Sequence, residues 1–229
     1  MGDRETSNHS EVTEFILVGF RVRPEFHILL FLLFLLVYAM ILLGNVGMMV
    51  IIMTDPRLNT PMYFFLGNLS FVDLFYSSVI APKAMINFWS ERKSISYAGC
   101  VTQLFLFDLF IVTEGFLLAV MAYDRFIAIC NPLLYSIQMS TRLCVQLVAA
   151  SYFCGCISSV IETSMTFTLP FCASRAIDHF YCDYRPLQRI SCSDLYIPNM
   201  VSFFLCSIII LPTIIVIIVS YIYILYPQF

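Results

Sequence analysis

The stretch Met121-Ala-Tyr-Asp-Arg-Phe-Ile-Ala-Ile-Cys-Asn-Pro-Leu-Leu-Tyr135 closes a long apolar segment on an Asp124-Arg125 pair. Opposite charges at that point stand where lipid gives way to water, a place where such a pair can act as a polar latch. This reading requires a membrane chain, and the composition supplies one. Apolar residues make up 60%, charged residues 12%, and the mean hydropathy is +0.88; soluble domains run at roughly 45 to 50% apolar and about 25% charged. The net charge of -3 offers no basic surface for nucleic acid, so that class of partner is set aside.

A helix needs about 20 mainly apolar residues to cross the hydrocarbon core. Five stretches qualify, at about 27–53, 61–86, 98–130, 142–168 and 197–226. The third would be on the order of 50 Å long, more than the bilayer's roughly 30 Å, and should tilt or protrude. Residues 1–26 form a polar N-terminus, and 169–196 the one long polar loop. The first 25 residues are polar and the first apolar run is of full membrane length, so that run is expected to serve as the insertion signal. No fixed-period repeat or low-complexity tract appears.

Further strings stand around the opening one. Leu58-Asn59-Thr60-Pro61-Met62-Tyr63-Phe64-Phe65-Leu66 opens the second span, where Thr60 can cap and Pro61 suits the first helical turn. Leu69-Ser70-Phe71-Val72-Asp73 follows within that span. The long loop carries Phe171-Cys172, Ile177-Asp178-His179-Phe180-Tyr181-Cys182-Asp183 and Ser191-Cys192-Ser193-Asp194, and the fifth span carries Pro212 and Ser220-Tyr221. Together these resemble the odorant (olfactory) receptors, the largest group of rhodopsin-like G-protein-coupled receptors, over almost all of the chain. Asn59 departs from the usual His, and Phe126 from the common Tyr, whose missing hydroxyl bears on contacts to a G protein.

The resemblance implies an all-α membrane protein, a rhodopsin-like bundle with five of the usual seven transmembrane helices present. The chain stops at Phe229, where a full receptor would continue through a third cytoplasmic loop and two more helices. The expectation is therefore an incomplete receptor, poorly stable alone, because interior polar groups would lack partners in lipid.

Basic residues normally favour the cytoplasmic side in short loops. Here the count opposes the family's N-out topology, with Arg57, Arg125 and Arg142 inside and nine other Lys and Arg outside. The N-out arrangement is preferred because Asn8-His9-Ser10 is a glycosylation acceptor and the long loop is rich in cysteine, both suited to the lumenal side. Cys100, Cys172, Cys182 and Cys192 form an even lumenal set that allows three connectivities. The family pattern implies Cys100 with Cys182 and Cys172 with Cys192. A zinc site from these thiols and His179 is the alternative, although its spacing matches no close-paired Cys/His motif.

Four carboxyls, Asp73, Asp108, Glu114 and Glu162, lie at membrane depth, as does the amide of Asn45. Each is expensive there and should face a polar interior, carry a partner or hold a proton. Asn45 should bond a neighbouring helix. Asp73 and Glu114 match acidic positions of the family interior, which implies a shared polar site able to take a sodium ion; protonated carboxyls bridging helices are the alternative. Asp108 lies six residues before Glu114 and on another face of the helix. The resemblance places an odorant pocket in the outer half, at the levels of Phe107, Asp108, Ile111, Val112, Glu162, Ser202 and Cys206. There Asp108 and Glu162 would favour a ligand with a positive charge or hydrogen-bond donors, unless Asp108 simply pairs with Lys83 or a loop arginine.

The leading expectation is thus a plasma-membrane receptor for small volatile molecules that in complete form acts through a heterotrimeric G protein of the olfactory Gs type, with this chain an incomplete or non-signalling form of it. Asp124, Arg125 and Tyr221 would form its latch and coupling end. No cofactor beyond the sodium ion is implied, and receptor oligomers are an open partner class. The alternative is a five-span fragment that associates with intact receptors and retains them in the endoplasmic reticulum. A transporter would carry inverted repeats or matching broken helices, and neither is visible. An enzyme is the least favoured class, since no nucleophile-base grouping is visible.

Overall fold

A computed structural model describes residues 13–19, 23–90, 93–171 and 175–225. Asn8 and Cys172 lie outside them. Five long helices carry the chain: α1 (Pro24–Thr54), α2 (Pro61–Trp89), α3 (Tyr97–Cys130), α5 (Thr141–Thr168) and α7 (Tyr196–Leu225). Each is long and apolar enough to cross a membrane. Two short helices, α4 (Tyr135–Gln138) and α6 (Tyr184–Arg189), sit in the connections.

Local chemistry sets the helix ends. Pro24 and Pro61 occupy first-turn positions where a missing N–H leaves no bond unmade. After α1, the Asp55 carboxylate accepts from the Arg57 amide at 2.9 Å and starts a single 3-10 turn, Pro56–Leu58. Ser96 caps α3 by accepting from the Gly99 amide, and Ser140 caps α5 by accepting from Leu143. Thr60 departs from expectation. It holds the cap position of α2, but its hydroxyl makes no capping bond, and its backbone carbonyl accepts from the Phe64 amide at 3.0 Å.

α3 is the central element, packed against α2, α5 and α7, while α1 leans on α2. Phe65 and Val72 of α2, Leu117 and Met121 of α3 and Val148 of α5 form one buried cluster. The outward faces of α1 and α7 stay apolar and bare, with Leu43 76% and Ile208 69% exposed. In water such surfaces would drive aggregation. In a bilayer they face acyl chains.

At the other end of α3 the chain builds a layer that the sequence reading described only as polar segments. Strand β1 (Glu14–Leu17) pairs antiparallel with β2 (Ser94–Ser96) and parallel with β3 (Ala176–Ile177), in the order β2-β1-β3. Phe15, Leu17, Ile95, Ile177 and Leu187 pack beneath it around Cys100 and Cys182. Those cysteines form a disulfide with a Cα–Cα distance of 5.5 Å, pinning the long loop to α3. Cys192 is disulfide-bonded as well, next to a bridge between Phe171 and Ser191.

Asn45 corrects another expectation. Its amide donates to the Ile41 carbonyl of its own helix at 3.1 Å, rather than to a neighbouring helix. A short amide side chain can reach the carbonyl one turn back, and this satisfies its donor without a partner element.

Candidate functional site

Between the pinned loop and the ends of α3, α5 and α7 lies a cavity of about 610 Å³. α3 contributes Leu104, Phe107 and Asp108, α5 contributes Glu162, α7 contributes Asn199, Ser202, Phe203 and Cys206, and Leu195 stands just before α7. Asp183, Tyr184, Arg185, Gln188 and Arg189 of the loop complete the lining. A space of this size with apolar walls and a few convergent polar groups suits a small organic ligand.

The polar groups are held from several sides. Ser158 donates to Asp108 Oδ2 at 3.0 Å. Ser202 Oγ lies 2.9 Å from Glu162 Oε2 and 2.6 Å from the Tyr184 hydroxyl, which itself donates to the Pro198 carbonyl at 3.1 Å. One serine proton thus serves two acceptors. Burial pushes the Tyr184 phenol above its ordinary pKa. Tyr181, whose ring packs 5.2 Å from Phe107, is pushed up to about 12 by burial and then by the Asp183 and Tyr76 charges. Both hydroxyls therefore stay protonated at neutral pH, and that of Tyr184 donates. Gln103 anchors the roof, donating to the Val79 carbonyl at 2.9 Å and accepting from the Cys182 amide at 2.9 Å.

Of the residues expected in the pocket, Phe107, Asp108, Glu162, Ser202 and Cys206 line this one cavity. Ile111 and Val112 do not; Ile111 is exposed on the outside of α3. They stand one turn further along α3 on the side that carries Asp108, outside the lining of the cavity. Lys83 does not pair with Asp108, since its ammonium donates to the Ser94 carbonyl at 2.7 Å. Asp73 and Glu114 are half-buried on α2 and α3, which pack against each other. Among the described residues no group of three or more acidic, His or Cys side chains is placed to hold a metal ion.

At the far end of α3 the Asp124-Arg125 pair is divided between two neighbours. Asp124, 2% exposed, accepts from the Tyr135 hydroxyl at 2.9 Å, while Arg125 Nη1 donates to the Tyr221 hydroxyl at 3.2 Å. Consecutive helical residues do not face each other, so the two charges reach different elements. Burial first, and then the bond to Asp124, hold the Tyr135 phenol well above its usual range. Phe126 stacks edge-on against Tyr223 at 5.6 Å, a contact its missing hydroxyl does not disturb. Arg125, Tyr221, Met121 and Ile217 line a second hollow of about 190 Å³.

Tyr135, Ser158, Tyr184 and Gln188 were not among the residues picked from the sequence. Tyr135 ends the opening string, ten residues after Arg125, but nothing in that spacing shows that the chain turns back. We expect Tyr135→Phe to destabilise the protein by about 1 to 3 kcal/mol, because it strips a buried carboxyl of its donor. Thermal unfolding in detergent checks this. The same change in an Asp124→Ala background, which has no acceptor, should cost clearly less, and equal costs would exclude the bond as the cause.

The model of the family described as "Olfactory receptor" matches residues 34–229. Human olfactory receptor 9K2 is 86% identical over 224 residues, which cover 98% of this chain and 67% of that protein. Human olfactory receptor OR9H1 is 51% identical over 95% of this chain and 71% of its own length, and mouse olfactory receptor 5AR1 is 50% identical over 96% and 71%. The chain belongs to the olfactory receptor family. This olfactory receptor is therefore a membrane protein of a receptor family rather than an enzyme, with the rhodopsin-like helical fold. Its disulfide between Cys100 and Cys182 ties the receptor's long loop over the cavity.

Proposed function

We propose that this receptor binds small volatile molecules in the cavity between α3, α5, α7 and the pinned loop, and signals through a heterotrimeric G protein of the olfactory Gs type. The observation that carries the reading is the roofed cavity, in which buried carboxyl and hydroxyl groups converge between apolar walls. It shares α3 with the Asp124-Tyr135 and Arg125-Tyr221 contacts. A ligand that fits one arrangement of α3 and α7 better than another shifts the population toward it, and the G protein meets the end that changes. In this reading the receptor sits in the plasma membrane with the disulfide-bearing loop outside. A sodium ion between Asp73 and Glu114 would offset two facing carboxylates there.

The test is an odorant panel on cells expressing the chain with a Gs-type α subunit, read as cyclic AMP. A responding odorant should lose its effect when Ser202→Trp fills the cavity. A response that survives the filled cavity would place the ligand elsewhere.

A further inference from the structure

Resting on the reading of this cavity as the ligand site, we propose that its preferred ligand is a small protonated amine carrying an ether, carbonyl or hydroxyl oxygen a few bonds away, with the ammonium at Asp108 and Glu162 and the oxygen at Gln188. The two carboxyls come from different helices and enter the same space, Glu162 at 9% exposure. Asp108 is met by the hydroxyls of Ser158 and Ser159, and Glu162 by that of Ser202, which is shared with Tyr184. Buried carboxylates held by so few donors gain from a counter-charge. An ammonium brings both the charge and three donors.

Gln188 supplies an independent mark of a missing partner. It is 5% exposed and lines the same cavity, and its Nε2, beside the Tyr184 hydroxyl, makes no bond of full hydrogen-bond geometry. A buried donor left open costs about 1 to 3 kcal/mol, and a ligand oxygen would remove that cost. The cavity also holds basic groups. Arg185 and Arg189 line it from the loop, but both are exposed, whereas Glu162 is buried and Asp108 half-buried. Asp183, the third acid, spends one oxygen on the Tyr184 amide at 2.8 Å. The positive charges thus sit at the solvent mouth, where screening weakens them, and the negative ones sit deep. Phe107 and Phe203 offer ring faces for the apolar remainder of the ligand.

Four compounds of matched shape separate the possibilities: 2-phenoxyethylamine, 3-phenylpropylamine without the ether oxygen, propoxybenzene without the charge, and phenoxyacetate with the charge reversed. Binding is measured to the full 229-residue chain in lipid nanodiscs. Phenoxyethylamine should bind about tenfold or more tighter than propoxybenzene, as charged hydrogen bonds warrant. Asp108→Asn and Glu162→Gln should each erase most of that lead, and thermal unfolding of each variant in detergent shows separately that it folds. Gln188→Leu should erase only the lead of phenoxyethylamine over phenylpropylamine. Equal binding of amine and propoxybenzene, or tighter binding of phenoxyacetate through the arginines, would overturn the amine assignment and leave the cavity as a ligand site. Failure of all four to bind would remove the ligand site as well.

Discussion

Replacing Cys100 and Cys182 together by serine will cost this receptor roughly 4 kcal/mol of stability, the loop-closure value for a cross-link over so long a span. The cysteines are 82 residues apart and both fully buried. The loss will not stay local. The bond joins α3 to the loop that carries β3 and α6, and Phe15, Leu17, Ile177 and Leu187 pack around it. Without it the long loop with β3 and α6 loses its cross-link to α3, and the cavity loses the tie that holds its roof. Thermal unfolding of the purified double variant in detergent, beside the unaltered protein, is the check. A melting temperature within a degree or two of the parent would show that the strands and apolar contacts hold the layer unaided.

The second large effect lies in mid-membrane, at Gly155. A Cβ added there would stand 2.5 Å from Thr113 Oγ1 and 2.7 Å from the Leu109 carbonyl oxygen, and the latter is backbone that cannot swing aside. α3 and α5 meet closely because this position has no side chain, as small residues allow between membrane helices. Gly155→Ala should therefore destabilise by about 1 to 3 kcal/mol, the range for overpacking, with Gly155→Val worse. The displacement would also reach the ligand cavity. Ser158, one turn on, donates to Asp108 across the same interface, and separation of the helices lengthens that bond. Gly44 provides the contrast, since a Cβ there meets nothing within 4 Å. Gly44→Ala should be neutral or gain up to about 1 kcal/mol from helix propensity. If the two alanine variants melt alike, close packing at Gly155 is not what holds α3 to α5.

Much of the architecture is legible along the chain because its causes are local. Twenty apolar residues in a row have few destinations other than a bilayer-spanning helix, and Pro61, Ser96 and Ser140 mark starts that the helices respect. The tie between Cys100 and Cys182 follows from the family pattern. The strand at Glu14–Leu17 was not visible, because four residues alternating toward a core look like any short loop until β2 and β3 supply their edges. Asn45 misled for a related reason. Cost in lipid demands that an amide be satisfied, but it does not say by whom, and the nearest carbonyl of the same helix served.

Which residues share the cavity was legible only in part. Asp108 and Glu162 announced themselves as carboxyls in apolar segments, yet no spacing rule links positions on two helices whose rotation about their axes is set by packing. Ile111 and Val112 show the limit, since they follow Asp108 by one turn along α3 and yet lie outside the lining of the cavity. Gln188 and Tyr184 carry no signal in a polar loop and become part of the site only through the disulfide that folds α6 over it. By itself the sequence determined a five-span membrane chain of the olfactory receptor family, because apolar length and contiguous motifs are properties of neighbours along the backbone. Only the tertiary structure decided that Asp124 answers to Tyr135, that Arg125 answers to Tyr221, and that two acids and an unpaired amide face one space. Those meetings depend on helix rotation and close approach, which side chains distant in sequence settle together.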